Sequence, residues 1–226
     1  MCGRYSISKK AREIGDHFSV TIPAAFEGEL YNAAPTQLLP VIAMNQPDRL
    51  QHFRWGLQPP WESTSRTPPI VINARSESLH QKKMFSVLLP RKRCLIPADG
   101  FFEWEKLGKT KQPWRFVLKN DGLFAFAGLF DQLVQPDGST AFAFTIVTTR
   151  ANELLGGIHD RMPVILGKEE SMAWLNEPET EKLNDLLVPF PSGEMESYKV
   201  SPKVNSAALN TPELIKPWQD PNLTLF

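Results

Sequence analysis

The chain has little of what staples or metallates a small fold. It carries two cysteines and four histidines in 226 residues. Two cysteines make no disulfide framework, so a reducing cytoplasm is the expected setting. His17, His52, His80 and His159 lack the close His/Cys spacing of a zinc site, and no metal is expected. No apolar run approaches the roughly 20 residues of a membrane span, and the start lacks the basic-then-apolar layout of a signal peptide. Phosphate-binding loops, G-x-G-x-x-G, G-x-S-x-G, heptads and repeats are all missing, and no cofactor is expected. The net charge is zero, which argues against a generally basic nucleic-acid binder. That charge is unevenly spread, however. From Lys82 to Arg115 there are nine Lys or Arg against three Asp or Glu, enough for a local region that tracks phosphates or for a solvated face.

What is present is mostly short β-like runs. The pattern predicts strands at Leu39–Met44, Phe53–Leu57, Ile70–Ile72 and Cys94–Pro97, then Phe101–Glu105, Trp114–Leu118, Leu123–Phe130, Ala141–Thr148 and Tyr198–Val200. Leu118–Leu123, with Asn120 and Gly122, reads as a hairpin turn. Helices are expected over Lys9–Phe18 with Ser8 as cap, over Ser78–Val87, and over Lys168–Leu187 interrupted by Pro178. The strands are not spaced by regular helices, which excludes a doubly wound sheet. The fold class is therefore α+β: a single β-rich domain over 1–226 with a mostly antiparallel, partly closed sheet and a few peripheral helices. Its core covers about residues 1–206, and a proline-punctuated extended tail runs over about 212–226.

Four residues carry possible chemistry. Cys2, in Met1-Cys2-Gly3-Arg4, sits where a chain end offers little packing. With the methionine removed it presents a thiol and a free α-amine on adjacent carbons. Cys94 reads instead as a small apolar strand residue. Asn73 ends the run Ile70–Ile72, where it either satisfies backbone groups or serves a site. Glu103 alternates with Phe102 and Trp104. It is either a solvated strand residue or a carboxylate in aromatic surroundings, where burial raises its pKa. His159 precedes Asp160 and Arg161, which can orient and tune an imidazole. A cysteine, an asparagine, a glutamate and a histidine form a nucleophilic site only if the fold brings them together.

Seven segments in order resemble the SRAP family, the SOS-response-associated peptidases or abasic-site-processing proteins. They are Met1–Arg4, Tyr31–Thr36, Trp55–Trp61, Ile72–Glu77, Asp99–Trp104, Ile158–Val164 and Val200–Asn205. The resemblance implies a sensor that captures abasic sites in single-stranded DNA covalently through Cys2, in the DNA damage response. Asn73, Glu103 and His159 match the family's other active-site positions. Arg4, Arg75 and Arg161 match positions that meet phosphates. Asn32, Pro35 and Trp61 match positions along the DNA. Glu62 stands where some members carry a second tryptophan, which removes a stacking contact worth about 1–3 kcal/mol. The implied partner is single-stranded DNA with an abasic site, met by a monomer that joins the nucleoid only when bound to DNA.

The chemistry this implies starts from the ring-opened abasic site, an aldehyde. The Cys2 amine adds to it and gives a Schiff base, and the thiol then closes a five-membered thiazolidine in an intramolecular step. A Schiff base at that sugar also permits β-elimination, hence weak lyase activity. The peptidase in the family's name implies self-processing that frees Cys2, although an ordinary aminopeptidase could do the same. A different function would use the Cys2 thiol as the N-terminal nucleophile of a hydrolase acting on an amide or peptide. A third would leave Cys2 incidental to a non-covalent single-stranded-DNA binder.

Overall fold

The structure is a computed structural model that describes residues 2–24, 26, 28–59, 69–134 and 140–219. Its elements run β1 (Tyr5–Ile7), α1 (Ala11–Phe18), β2 (Leu30–Ala33), β3 (Leu38–Ala43), β4 (Gln46–Trp55), β5 (Asn73–Arg75), α2 (Lys83–Ser86), β6 (Arg93–Ala98) and β7 (Gly100–Leu107). They continue through β8 (Thr110–Leu118), β9 (Phe124–Val134), β10 (Thr140–Arg150), α3 (Glu153–Gly156), β11 (Arg161–Pro163), β12 (Ile165–Leu166), α4 (Lys168–Asn176) and β13 (Met195–Lys199). No helix among the described residues is long and apolar enough to cross a membrane.

Two sheets carry the α+β fold. One is antiparallel throughout, in the order β13-β8-β7-β1-β2. In the other, β10, β4, β3, β6 and β9 pair in turn, and β9 pairs back onto β10 to close a ring. β5 and β4 run parallel to β10, whereas the other pairings in this sheet are antiparallel. Closure depends on Gly128, which pairs with Cys94 on one side and Ile146 on the other. A Cβ there would collide with Ile96 Cδ1 and lie 2.9 Å from Cys94 Sγ, so the strands can approach this closely only around a glycine.

An aromatic cluster joins the two sheets. Tyr5 of β1 packs on Trp55 of β4 at 5.4 Å between ring centroids and edge-on to Phe126 of β9 at 5.7 Å. Phe101 and Phe116 stack at 5.2 Å across the β7–β8 pair. Cys2 and Cys94 are buried in the same cluster. Alternation along β7 turns Phe102 to the opposite face, into a smaller cluster with Val200, Val204 and Leu214, with Trp104 packed against it.

Several local expectations are corrected. Leu118–Leu123 is not a hairpin: β8 lies in the open sheet and β9 in the closed one, so the turn carries the chain between sheets. Ser8 does not cap α1. Its amide and hydroxyl both bond Asp99 Oδ2, and the helix begins at Ala11 with the Lys10 amide donating to Glu13 Oε2 at 3.1 Å. The strand expected over Ile70–Ile72 forms three residues later, as β5. The helix expected over Ser78–Val87 is a 3₁₀ turn over Ser76–Ser78 followed by the single turn α2. The expected break at Pro178 is present, between α4 and a 3₁₀ segment over Lys182–Leu186. The tail is not extended at its start, because Pro212–Ile215 forms a 3₁₀ turn that buries Leu214; residues 220–226 lie outside the described ones.

The basic run Lys82–Arg115 is not one surface. Arg93 is buried, donating to the carbonyls of Leu89, Trp174 and Glu177. Arg115 is buried against Asp99 at 2.9 Å, and Lys92 pairs with Asp131.

Candidate active site

Cys2 is fully buried, and its carbonyl accepts a hydrogen bond from Asn73 Nδ2 at 3.0 Å. Asn73 opens β5 opposite Ile146 of β10, so sheet pairing fixes where its amide points. Its Oδ1 has no hydrogen-bond partner among the described residues, leaving a buried acceptor beside Cys2. The Cys2 thiol faces the Arg4 carbonyl at 3.7 Å.

Glu103 is only 3% exposed on β7, opposite Trp114. Of the two settings open to it, the buried one is found. Burial pushes its carboxyl pKa up, while nearby positive charge, including that of His159, pulls it back. The thiol of Cys2 is also pushed up, first by burial and then by the charge of Glu103. Glu103 is thus an electrostatic neighbour of Cys2 on one side and of His159 on the other. With the Asn73 contact, all four candidate catalytic residues converge from β1's leading end, β5, β7 and the α3–β11 loop.

His159 is held by backbone. Asn152 Oδ1 caps α3 by accepting from the Leu155 amide at 3.1 Å, and the Leu155 carbonyl accepts from Ile158 and His159. Nδ1 of His159 accepts the Arg161 amide N–H at 2.9 Å, which leaves Nε2 to carry the proton of the neutral ring. Asp160 Oδ1 lies 2.9 Å from the same Nδ1, placed to accept from it when the ring is doubly protonated.

The expected DNA-contact residues separate into groups. Arg75 is exposed on the rim of a groove of about 540 Å³ that Asn73, Lys82, Lys83 and Met84 also line. Arg4 is half-buried, with Nη2 on the Asn205 carbonyl at 3.2 Å. Arg161 forms a two-point pair with Glu77, at 2.6 and 2.9 Å. Asn32 is buried, and its Nδ2 donates to the carbonyls of Val204, Ser206 and Leu209, tying down the C-terminal segment, while its Oδ1 has no hydrogen-bond partner among the described residues. Pro35 is half-buried in the turn between β2 and β3. That turn bonds Trp55 through the Thr36 amide, and Trp55 Nε1 donates to the Ile72 carbonyl beside Asn73. Trp61 and Glu62 lie outside the described residues.

Two supporting carboxylates went unremarked in the sequence. Asp99 accepts from Ser6 Oγ, Ser8 and Arg115 and so fixes β1, the strand that follows Cys2. Glu77 holds Arg161. The available signal was position: each lies inside a recognised segment, and Asp99 lies among strand residues where a buried charge needs partners.

The SOS response associated peptidase (SRAP) family profile matches residues 1–207. The abasic site processing protein YoqW of Bacillus subtilis is 44% identical over 222 residues, covering 96% of this chain and 99% of its own. The abasic site processing protein HMCES of Mus musculus is 30% identical over 227 residues, covering 83% of this chain and 64% of its own. Among solved structures, a Bacteroides thetaiotaomicron protein superposes with a TM-score of 0.85 at 27% identity, covering 96% of this chain and all of that one. A Bordetella bronchiseptica protein gives 0.76 at 25%, covering 88% of this chain and all of that one.

Proposed function

Because the chain belongs to the SOS response associated peptidase family, we propose that it processes abasic sites in DNA, capturing them covalently through Cys2 once Met1 is removed. The single observation that carries this function is the convergence of Asn73, Glu103 and His159 on the second residue of the chain. A cysteine at that place has one special property: after loss of Met1 its amine and thiol act on the same carbon.

The Cys2 amine attacks the C1′ aldehyde of the ring-opened sugar, and water leaves to give the imine. The thiol then adds to the imine carbon while its proton passes to nitrogen, closing the thiazolidine. The burial of the thiol supports this order. The buried thiol holds its proton tightly, so the amine acts first and sulfur adds only once an electrophile is fixed beside it. The same property disfavours a hydrolase that needs the free thiolate as its opening nucleophile.

Asn73 holds the Cys2 backbone through Nδ2, and its Oδ1 can accept from and orient a sugar hydroxyl. Glu103, with a raised pKa, exchanges protons with the amine and the departing water. His159, its Nδ1 engaged by backbone, presents Nε2 as the shuttle for sugar opening. In this reading the groove with Arg75, Lys82 and Lys83 supplies positive charge to a phosphate backbone, without base readout. Weak β-elimination is a side activity of the same imine, and removal of Met1, by self-processing or by an aminopeptidase, precedes it.

The test mixes Met-free protein with single-stranded DNA bearing an abasic site and resolves the products on a denaturing gel. Wild type gives a heat-stable adduct, and Cys2→Ala gives none. The function fails if wild type gives no adduct, and the nucleophile lies elsewhere if Cys2→Ala still gives one.

A further inference from the structure

Arg161 and Glu77 come from elements on opposite edges of β10. β5 runs parallel to β10 with Arg75 opposite Thr148, and the chain then turns through the 3₁₀ segment that holds Glu77. On the other side β11 starts at Arg161, opposite Arg150. The two side chains meet across the strand: Nη1 donates to Glu77 Oε1 at 2.6 Å and Nη2 to Oε2 at 2.9 Å. Nη2 also donates to the Thr148 carbonyl at 2.7 Å. Arg161 is only 11% exposed in its side chain, while Glu77 is 57% exposed.

A guanidinium has five N–H groups in a rigid fork. Glu77 and Thr148 take three of them; among the described residues Nε is buried without a partner, and the second hydrogen of Nη1 is left over as well. The ring of His159 depends on the same residue, because the Arg161 amide is what its Nδ1 accepts from. An arginine so nearly buried cannot swing to find a ligand. Its remaining Nη1 donor is useful only if the fork is aimed beforehand, and an Arg–carboxylate pair of this two-point kind aims it.

We infer that Glu77 is a positioning residue: it fixes the Arg161 fork so that the free Nη1 hydrogen meets a phosphate flanking the lesion, and it steadies the Arg161 backbone that holds His159. This rests on the DNA function proposed above. Glu77 is thereby distinguished from a competitor that a phosphate must displace, which the same ion pair would otherwise describe.

The two behave oppositely when the charge is removed. Met-free Glu77→Gln, Arg161→Ala and the double variant are titrated with single-stranded DNA carrying a tetrahydrofuran abasic analogue, which has no aldehyde and binds reversibly. Positioning predicts weaker binding by Glu77→Gln and a log–log salt slope shallower by about 0.7, the loss of one phosphate contact on a single strand. Arg161→Ala gives the same change, and the double variant adds little to it, because the two act through one contact. On true abasic DNA, adduct formation by Glu77→Gln slows roughly tenfold, a barrier increase of about 1.4 kcal/mol. Tighter binding with a steeper slope would overturn the inference in favour of a competitor. An unchanged slope and rate with only a lower melting temperature would overturn it in favour of a structural pair. Wild-type adduct formation is scored in the same experiment: its absence sinks the proposed function and this inference with it, whereas its presence beside an unaffected Glu77→Gln sinks this inference alone.

Discussion

A carboxylate with almost no solvent contact makes stability depend on pH in a definite direction. Burial raises the pKa of Glu103 above its ordinary 4.5. A group so shifted contributes stability that is fully present below its ordinary value and is lost as pH rises through the raised one. Glu103→Gln removes that loss. Melting-temperature curves of the two proteins from about pH 4 to 8 are expected to separate with rising pH, the variant becoming the more stable. Parallel curves would mean that Glu103 titrates in the fold as it does in water. Much of this residue-scale picture was legible in the sequence. The alternation in Phe101–Glu105 put Phe101 and Glu103 on one face and Phe102 and Trp104 on the other, as the two clusters have it. What alternation cannot say is how deep a face lies, and that decided Glu103. Asn32 shows the opposite limit: a recognised segment named it, but its three carbonyl partners belong to residues more than 170 positions away.

Elements depend on such long-range partners too. β1 is three residues long and would not hold its place by pairing alone. Asp99 fixes it through Ser6 and Ser8, and Arg115 balances the charge, with 1% and 5% side-chain exposure for Asp99 and Arg115. Asp99→Ala leaves a buried guanidinium without its counterion, and breaking such a pair costs about 3–5 kcal/mol. Urea unfolding measures this, and a loss under about 1 kcal/mol would mean that water replaces the carboxylate. The dependence also explains why β1 and β2 left no mark in the pattern, whereas β6, β9 and β10 did. The latter are buried apolar runs; the former exist because of what they pair with. The turn at Leu118–Leu123 misled for the same reason. Its residues suit a tight reversal, and nothing in them says which sheet the next strand joins.

The whole molecule is closed from behind by its C-terminal segment. Asn205 takes Trp104 Nε1 on its side chain and Arg4 on its carbonyl. Tyr198 links Arg115 to the Ile215 carbonyl, and the Trp218 amide donates to the Lys199 carbonyl. Leu214 seals the cluster under Phe102. A chain ending at residue 210 loses Leu214 together with the Ile215 and Trp218 bonds, and its unfolding free energy is expected to fall by at least about 1.5–3 kcal/mol, the scale of the buried leucine alone. An unchanged urea midpoint would show that the segment merely rests on the surface. Proline spacing suggested an extended tail because prolines mark where helices cannot continue, but not whether a single turn docks.

Enclosure of Cys2 between the two sheets has a consequence for survival under oxidative stress. Peroxide attacks thiolates that solvent can reach, and Cys2 offers neither the ionised sulfur nor the access. Oxidants also strip bases from DNA, so under the proposed function the protein meets abasic DNA in the conditions that would ruin an exposed cysteine. In the proposed reaction, burial keeps the Cys2 thiol reduced until an aldehyde is delivered to it.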